Sequence, residues 1–242
     1  MIVELFGPPC AGKTTFARLL VSGLQARGLP ARALISARAS EADAPGGAAR
    51  RPATGTADAQ AWKRDACEAV NKAMLRLLPP RSPIWQVRLR RYLRVLAASW
   101  ARCDKSADVV VFDQGYTQAL CSLVSLTRRP EPACVQAAAD LLPRPALRIN
   151  LTVPRGVLVA RLAQRSRCLT LRERILEVDN ATIIEQDRIC SVLFDMLDGD
   201  GAIMRAMSSG TTDMPPFLDA VARKLRPPAI EPGPRALREV VR

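Results

Sequence analysis

Eight residues near the start of the chain combine glycines, a lysine and a threonine at a spacing suited to holding phosphate. They are Gly7-Pro8-Pro9-Cys10-Ala11-Gly12-Lys13-Thr14, and they match the pattern G-x-x-x-x-G-K-[ST] in full. The glycines permit a tight turn that brings backbone N–H groups close to an anion, and a helix beginning at the lysine adds further donors. In such a loop Lys13 reaches the β- and γ-phosphates, Thr14 binds Mg²⁺ and Thr15 donates to the α-phosphate. We therefore expect residues 7–15 to bind a nucleoside triphosphate with Mg²⁺.

A second candidate is the aspartate that follows the most apolar run of the chain, Val109-Val110-Val111-Phe112-Asp113. Such a run is typical of a strand buried on both faces of a parallel sheet. Ligands of open α/β folds bind at the carboxyl ends of the strands, where Asp113 would face the phosphate loop. Asp113 is expected to hold Mg²⁺ through water or to take a proton from an acceptor hydroxyl. The alternative is an Asp that only caps the following helix.

The third signal is a set of arginines in the helix after the fourth predicted strand. Arg161 and Arg165 are four residues apart, which places them on one helical face. Guanidinium groups there would neutralise charge on a transferring phosphate. Coincidence is the competing interpretation, because 31 of the 36 basic residues are arginines and only five are lysines.

With a strand before it and a helix after it, the 7–14 segment resembles the P-loop (Walker A) of P-loop NTPases, and the strand ending in Asp113 resembles Walker B. The segment around Arg161 and Arg165 resembles the lid of nucleoside and nucleotide kinases, here about residues 161–170. Over about residues 1–225 the chain resembles the thymidylate kinase-like and deoxynucleoside kinase-like P-loop kinases. The resemblance implies catalytic roles for Lys13, Asp113, Arg161 and Arg165, with Mg²⁺ held by Thr14 and Asp113.

The acceptor side departs from that pattern. The family usually has Arg after the strand-end acid, whereas Gln114 and Gly115 follow here. The resemblance also implies an acceptor pocket built partly from the region 58–105 and an adenine-holding loop at 208–210. In the first region, residues able to stack on a base or bind an anion are Trp85, Arg88, Arg91, Tyr92 and Arg94. The alternative for these is an amphipathic helix with an exposed arginine face.

A layered fold would bring these residues together, and the sequence indicates one because predicted strands alternate with predicted helices along the chain. Strands are predicted at 2–6, 31–36, 109–112, 147–153 and 202–207, and helices at 13–26, 58–78, 83–105, 117–130, 132–142, 154–165, 170–197 and 215–225. This order predicts an α/β three-layer sandwich with a five-stranded parallel sheet and a helical insertion between strands 2 and 3. We expect a single domain over 1–226, a loop at 40–57 and a Pro-rich C-terminal extension at 227–242.

Composition excludes several classes of chemistry. The 242 residues contain no His, which removes Ser-His-Asp and Cys-His catalysis and any His-ligated metal. Seven scattered cysteines without a C-x-x-C pair predict a reduced, cytoplasmic protein without a disulfide framework. The start of the chain does not have the pattern of a signal peptide, and no run is long enough for a membrane span.

The sequence thus predicts an ATP-Mg-dependent kinase acting on a nucleoside, nucleotide or other small hydroxyl or phosphate acceptor. Its net charge of +13 and the loop 40–57 motivate an alternative, a nucleotide-dependent regulatory ATPase or switch acting on a macromolecule such as nucleic acid. A binding protein that does not hydrolyse nucleotide is the least favoured. Nucleic acid as a partner is not favoured, and a homodimer stays open. The absence of a guanine-reading Asn/Thr-Lys-x-Asp pattern favours ATP.

Overall fold

The computed structural model describes residues 1–36, 57–103, 106–168, 180–208 and 213–226. Five strands form one sheet in the order β2-β3-β1-β4-β5, and every neighbouring pair is parallel. The strands are β1 Ile2–Phe6, β2 Ala31–Leu34, β3 Val109–Phe112, β4 Leu147–Thr152 and β5 Ile203–Met207. The predicted five-stranded parallel sheet is confirmed. The predicted loop 40–57, except Ala57, and the extension 227–242 lie outside the described residues.

Eight α-helices are present among the described residues, and none of them is long and apolar enough to cross a membrane. They are α1 Lys13–Gln25, α2 Ala57–Leu77, α3 Pro83–Cys103, α4 Tyr116–Leu126, α5 Pro132–Asp140, α6 Arg155–Cys168, α7 Asn180–Leu197 and α8 Met214–Leu225. Helices α2 and α3 connect β2 to β3, so the predicted helical insertion is also confirmed. The final part of the predicted lid, residues 169–170, lies outside the described residues.

The sheet is covered on both faces, as its apolar strands require. On one face Phe112 packs with Trp100 of α3, whose ring centroid is 5.5 Å away, and on the other Leu5 packs with Leu20 of α1 and Val221 of α8. Burial of these strands on both sides fixes the positions of their carboxyl ends. The loops after β1 and β3 therefore emerge side by side at one edge of the sheet.

A buried carboxylate in the middle of β1 sets the position of α4. Glu4 is fully buried and accepts hydrogen bonds from the N–H groups of Tyr116 and Thr117 and from the Thr117 hydroxyl (2.6 Å). Burial raises the pKa of Glu4. The hydrogen bond from Thr117 lowers it, and so does the charge of Arg148, which lies opposite Glu4 on β4. The N-cap residue of α4 is Gly115, and the Glu4 carboxylate on β1 accepts from the first N–H groups of the helix. It fixes the β3–α4 loop, and with it Asp113, relative to β1.

This arrangement explains the glycine that precedes α4. A Cβ at Gly115 would overlap the Glu4 carboxyl group. We expect Gly115→Ala to lower the free energy of unfolding by about 1–3 kcal/mol, the usual cost of overpacking a buried site. Urea denaturation measures this change. Gly156→Ala is the matched control, because a Cβ there meets no atom within 4 Å. An equal effect of the two substitutions would contradict the tight Glu4 contact.

Candidate functional site

The loop between β1 and α1 has the geometry that the glycine spacing predicted. Gly7 has a φ of +152°, and a Cβ there would overlap the carbonyl oxygen of Leu151. Its N–H donates to Oε1 of Gln118 on α4 at 3.0 Å, and the N–H of Ala11 donates to the Pro8 carbonyl at 3.2 Å. Pro8 and Pro9 have no N–H, and the N–H groups of Gly7 and Ala11 already have acceptors. The amides left to bind an anion are therefore those of Cys10 and of residues 12–15.

Helix α1 presents an uncapped N-terminus to this loop. Its N-cap is Gly12, which has no side-chain cap, and no acidic residue stands in its first turn. The first hydrogen bond of the helix runs from the Phe16 N–H to the Gly12 carbonyl at 2.9 Å. The N–H groups of Lys13, Thr14 and Thr15 therefore have no acceptor within the helix, which is the condition for anion binding at a helix N-terminus. At α4, by contrast, the Glu4 carboxylate occupies this position.

The Lys13 ammonium lies over the loop and is held by it. Nζ donates to the carbonyl oxygens of Gly7 at 2.7 Å and Pro8 at 2.9 Å, and the residue is 9% exposed. Two of its three N–H donors are thereby directed to the loop, and the third can serve a phosphate oxygen. Burial lowers the pKa of Lys13 below its ordinary value, against the opposing influence of Cys190, Cys121 and Asp113.

This lowered pKa predicts that nucleotide affinity depends on pH. A triphosphate needs the protonated ammonium, and free Lys13 loses its proton at a lower pH than an ordinary lysine does. We expect the Kd for ATP to rise with pH below the ordinary range of a lysine pKa, by at most about tenfold per pH unit, the limit for one proton. Titrations by calorimetry at increasing pH measure this. Lys13→Ala should lack the dependence, and a wild-type Kd that stays flat up to pH 10 would contradict it.

Thr14 and Asp113 meet at the mouth of the loop. The Thr14 hydroxyl donates to Oδ2 of Asp113 at 2.9 Å, and the Ser36 N–H donates to Oδ1 at 2.8 Å. The capping alternative for Asp113 is not what the structure has, because the first N–H groups of α4 donate to Glu4 and Asp113 accepts from Thr14 and Ser36. The hydroxyl proton is directed to the carboxylate, so the lone pairs of the Thr14 oxygen are left for a cation.

This oxygen pair fits Mg²⁺. Magnesium prefers hard oxygen ligands and usually combines one or two protein groups with substrate phosphates and water. Thr14 and Asp113 are oxygen donors of this kind beside the phosphate loop. Within the described ranges no group of three or more His, Cys, Asp or Glu side chains could hold a metal ion by themselves.

Arg161 and Arg165 of α6 also contact the loop between β1 and α1, at Cys10. Arg161 donates to the carbonyl oxygen of Cys10 at 3.2 Å and to the Ser208 hydroxyl at 3.3 Å, and Arg165 donates to the Cys10 sulfur at 3.4 Å. The shared helical face inferred from their spacing is therefore directed to the loop. Cys10 itself has a φ of 64°, a conformation that is uncommon for residues other than glycine.

An open cavity of about 420 Å³ adjoins the loop, and Cys10, Gly12 and Arg161 are among its lining residues. Its polar lining includes Thr15 and Ser208, and its apolar lining is Phe16, Leu19, Met207 and Met214. A mostly apolar cleft with a few polar groups suits a flat heterocycle. Ser208 of the predicted adenine-holding loop lies here, whereas Ser209 and Gly210 lie outside the described residues.

The residues considered for the acceptor side are only partly brought to the site. The Tyr92 hydroxyl donates to the Gln114 carbonyl at 3.1 Å, directly after Asp113. Burial raises the pKa of Tyr92, and the carboxylates of Glu4 and Asp113 raise it further. The Arg88 guanidinium stacks 4.6 Å from the centre of the Trp85 ring. Arg91 and Arg94 are exposed, as the amphipathic-helix alternative expects.

Two side chains that shape the site were missed by the sequence analysis. Glu4 positions the β3–α4 loop, and Gln118 holds the first amide of the phosphate loop. A signal for Glu4 was present, because a single charge stands within the apolar strand Ile2–Phe6. Gln118 gave no signal, since a glutamine within a helix is ordinary.

Comparisons with known proteins found similarity among solved structures. No protein-family model matches the chain, and no curated protein matches it. Among solved structures, the chain is similar to a deoxyadenosine kinase from M. mycoides with bound dCTP, at 13% identity and a TM-score of 0.43. The similarity covers 93% of this chain and 98% of that one.

Proposed function

We propose that the protein is an ATP-Mg-dependent kinase that transfers the γ-phosphate to a nucleoside, a nucleotide or another small hydroxyl or phosphate acceptor. The observation that carries the proposal is the meeting of four features at one sheet edge. They are the uncapped N-terminus of α1, the Lys13 ammonium, the hydrogen-bonded pair of Thr14 and Asp113, and the arginines of α6. Phosphoryl transfer needs positioning and positive charge around the transferred group, and these features supply both.

Each side chain has a distinct part in this proposal. The amides of Gly12 to Thr15 bind the phosphates, and Lys13 places its charge between the β- and γ-phosphates. Thr14, with Asp113, would hold Mg²⁺, which neutralises phosphate charge when bound. Arg161 and Arg165 exchange their contacts with Cys10 for the transferred phosphate. The cavity lined by Met207 and Met214 takes the base of ATP.

Asp113 has two candidate roles in this scheme. Its oxygens accept hydrogen bonds from the Thr14 hydroxyl and the Ser36 N–H, and the side chain is 1% exposed. These bonds support a role in orienting Thr14 and the metal ion. The second role, as the base that takes the acceptor proton, requires that the carboxylate also face the acceptor. The substitution Asp113→Asn separates the two roles, as argued below.

The test is an assay of purified protein with γ-labelled ATP, Mg²⁺ and a panel of nucleosides, nucleotides and sugars. We expect the label to appear in one acceptor class, with little free phosphate when no acceptor is added. Release of phosphate without any labelled acceptor, stimulated by nucleic acid, would support the regulatory ATPase instead. A gel-shift assay at increasing salt complements it, because binding that depends only on net charge disappears near physiological ionic strength.

A further inference from the structure

Two cysteines that no part of the proposed function uses face each other between helices α4 and α7. The sulfur atoms of Cys121 and Cys190 are 3.4 Å apart, and both residues are almost fully buried, at 0% and 1% exposure. Beside them, Nε2 of Gln186 on α7 donates to the Ser122 hydroxyl on α4 at 3.3 Å. The two helices are thus held together at the level of the thiols, and the close approach of the sulfurs is part of their packing.

The pair lies next to the phosphate loop. Both sulfurs are near enough to the Lys13 ammonium that their thiolate forms raise its pKa. Cys121 also stands one helical turn after Gln118, whose side chain holds the Gly7 N–H. A covalent bond between these cysteines would therefore join α7 to the helix that anchors the loop.

We propose that Cys121 and Cys190 form a covalent modification site, a dithiol that closes to a disulfide when a small hydroperoxide acts as the oxidant. The inference goes beyond the proposed function and does not depend on it. A disulfide has an S–S distance of about 2.05 Å, so the sulfurs must approach by only about 1.4 Å. The sulfurs of two other cysteines have different neighbours: Cys103 is 3.5 Å from Arg32, and Cys10 is 3.4 Å from Arg165.

The reaction balances with one hydroperoxide per pair. The thiolate of one cysteine attacks a peroxide oxygen and the O–O bond breaks, which gives a sulfenic acid. The leaving hydroxide, or the alkoxide of an organic hydroperoxide, takes up the proton that the thiol released and departs as water or an alcohol. The sulfur of the second cysteine then displaces the sulfenic oxygen, which leaves as water with the second thiol proton. Two sulfurs lose two electrons in total, and the peroxide gains them.

The surroundings keep the pair reduced until an oxidant arrives. Burial raises the pKa of the Cys121 thiol, and the hydrogen bond with Cys190 acts in the same direction, while the Lys13 ammonium opposes both. The thiol form is therefore favoured at neutral pH, and oxidation proceeds through the small thiolate fraction. Burial also favours a small neutral peroxide over a bulky disulfide reagent.

Peptide mapping of the wild-type protein tests the site without any variant. Trypsin cleaves after Lys and Arg, so Cys121 falls in the peptide 106–128 and Cys190 in the peptide 189–205, each with a single cysteine. After treatment with hydrogen peroxide and alkylation of the remaining thiols, we expect these two peptides to be linked. The linked mass is about 2 Da below their sum, because two hydrogens are lost. The oxidised protein should gain no new intermolecular band on a non-reducing gel.

Variants sharpen the result. Cys190→Ala should abolish the linked peptide, whereas Cys134→Ser, at a half-buried cysteine of α5, should leave its yield unchanged. The proposal is overturned if peroxide at a dose that oxidises Cys134 leaves both peptides unlinked with alkylatable thiols. It is equally overturned if Cys121 or Cys190 is found bonded to another cysteine. Should Cys190→Ala fail to fold, the wild-type map still decides.

Discussion

Replacement of Lys13 by alanine is expected to lower the rate of phosphate transfer by about 10²–10³-fold, the usual cost of removing one preorganised electrostatic donor. The ammonium is held over the loop by the carbonyls of Gly7 and Pro8, at 2.7 and 2.9 Å. Alanine removes the charge that would meet the β- and γ-phosphates and leaves the backbone amides in place. The measurement is the initial rate with γ-labelled ATP at saturating acceptor, together with the Kd for ATP.

The control for this variant is Lys72→Ala, which removes a lysine charge from an exposed position on α2. Both substitutions lower the net charge by one. If the rate of phosphate transfer fell only because a less positive protein attracts ATP less strongly, it would fall in both variants. A melting curve for Lys13→Ala shows whether the loop carbonyls tolerate the loss of their donor. Full activity of folded Lys13→Ala would reject the placement of the phosphates at this loop.

The parts of the site that could be predicted are those determined by consecutive residues of the chain. The phosphate loop is one such part, because its turn and helix start are encoded within Gly7–Thr14. The sheet is another, since strands buried on both faces must be apolar runs and their carboxyl ends must meet at one edge. The position of Asp113 at this edge could be predicted for the same reason, because it is the polar residue at the end of such a run. Its contact with Thr14 follows from the adjacency of β1 and β3.

The parts that could not be predicted depend on contacts between distant residues. Glu4 and Tyr116 are 112 positions apart, Gly7 and Gln118 are 111 apart, and Cys121 and Cys190 are 69 apart. Each contact depends on the exact rotational setting of a helix about its axis. A periodic apolar pattern shows which face of a helix is buried but does not determine this setting more closely.

The same limit explains the small errors at the ends of elements. Helix α4 begins at Tyr116, one residue from the predicted start at about Thr117, and the Tyr116 N–H donates to Glu4 on β1. Strand β2 ends at Leu34 rather than at 36. Ser36 instead donates its N–H to Asp113, a contact that only the folded chain creates. Local sequence thus specified the elements, and tertiary hydrogen bonds set their boundaries.

Asp113→Asn carries the second large effect, an expected loss of about 10²–10³-fold in phosphate transfer. Asparagine keeps the size of the side chain but removes its charge. It also replaces one acceptor oxygen with an NH₂ group, although both partners, the Thr14 hydroxyl and the Ser36 N–H, are donors. One of these hydrogen bonds must be lost, and in either orientation of the amide the negative charge that would attract Mg²⁺ beside Thr14 is removed. We expect ATP binding without Mg²⁺ to stay close to the wild-type value.

A titration of Mg²⁺ then separates the two roles of Asp113. If the carboxylate orients the metal site, the variant needs more Mg²⁺ for half-maximal activity, and Mg²⁺ no longer strengthens ATP binding. If it is the acceptor base, the Mg²⁺ requirement is unchanged and only the maximal rate falls. Asp140→Asn, at an exposed carboxylate of α5, is the control and should change neither. Since both Asp113 oxygens are already directed to Thr14 and Ser36, we expect the first pattern. Wild-type activity of folded Asp113→Asn would exclude both roles.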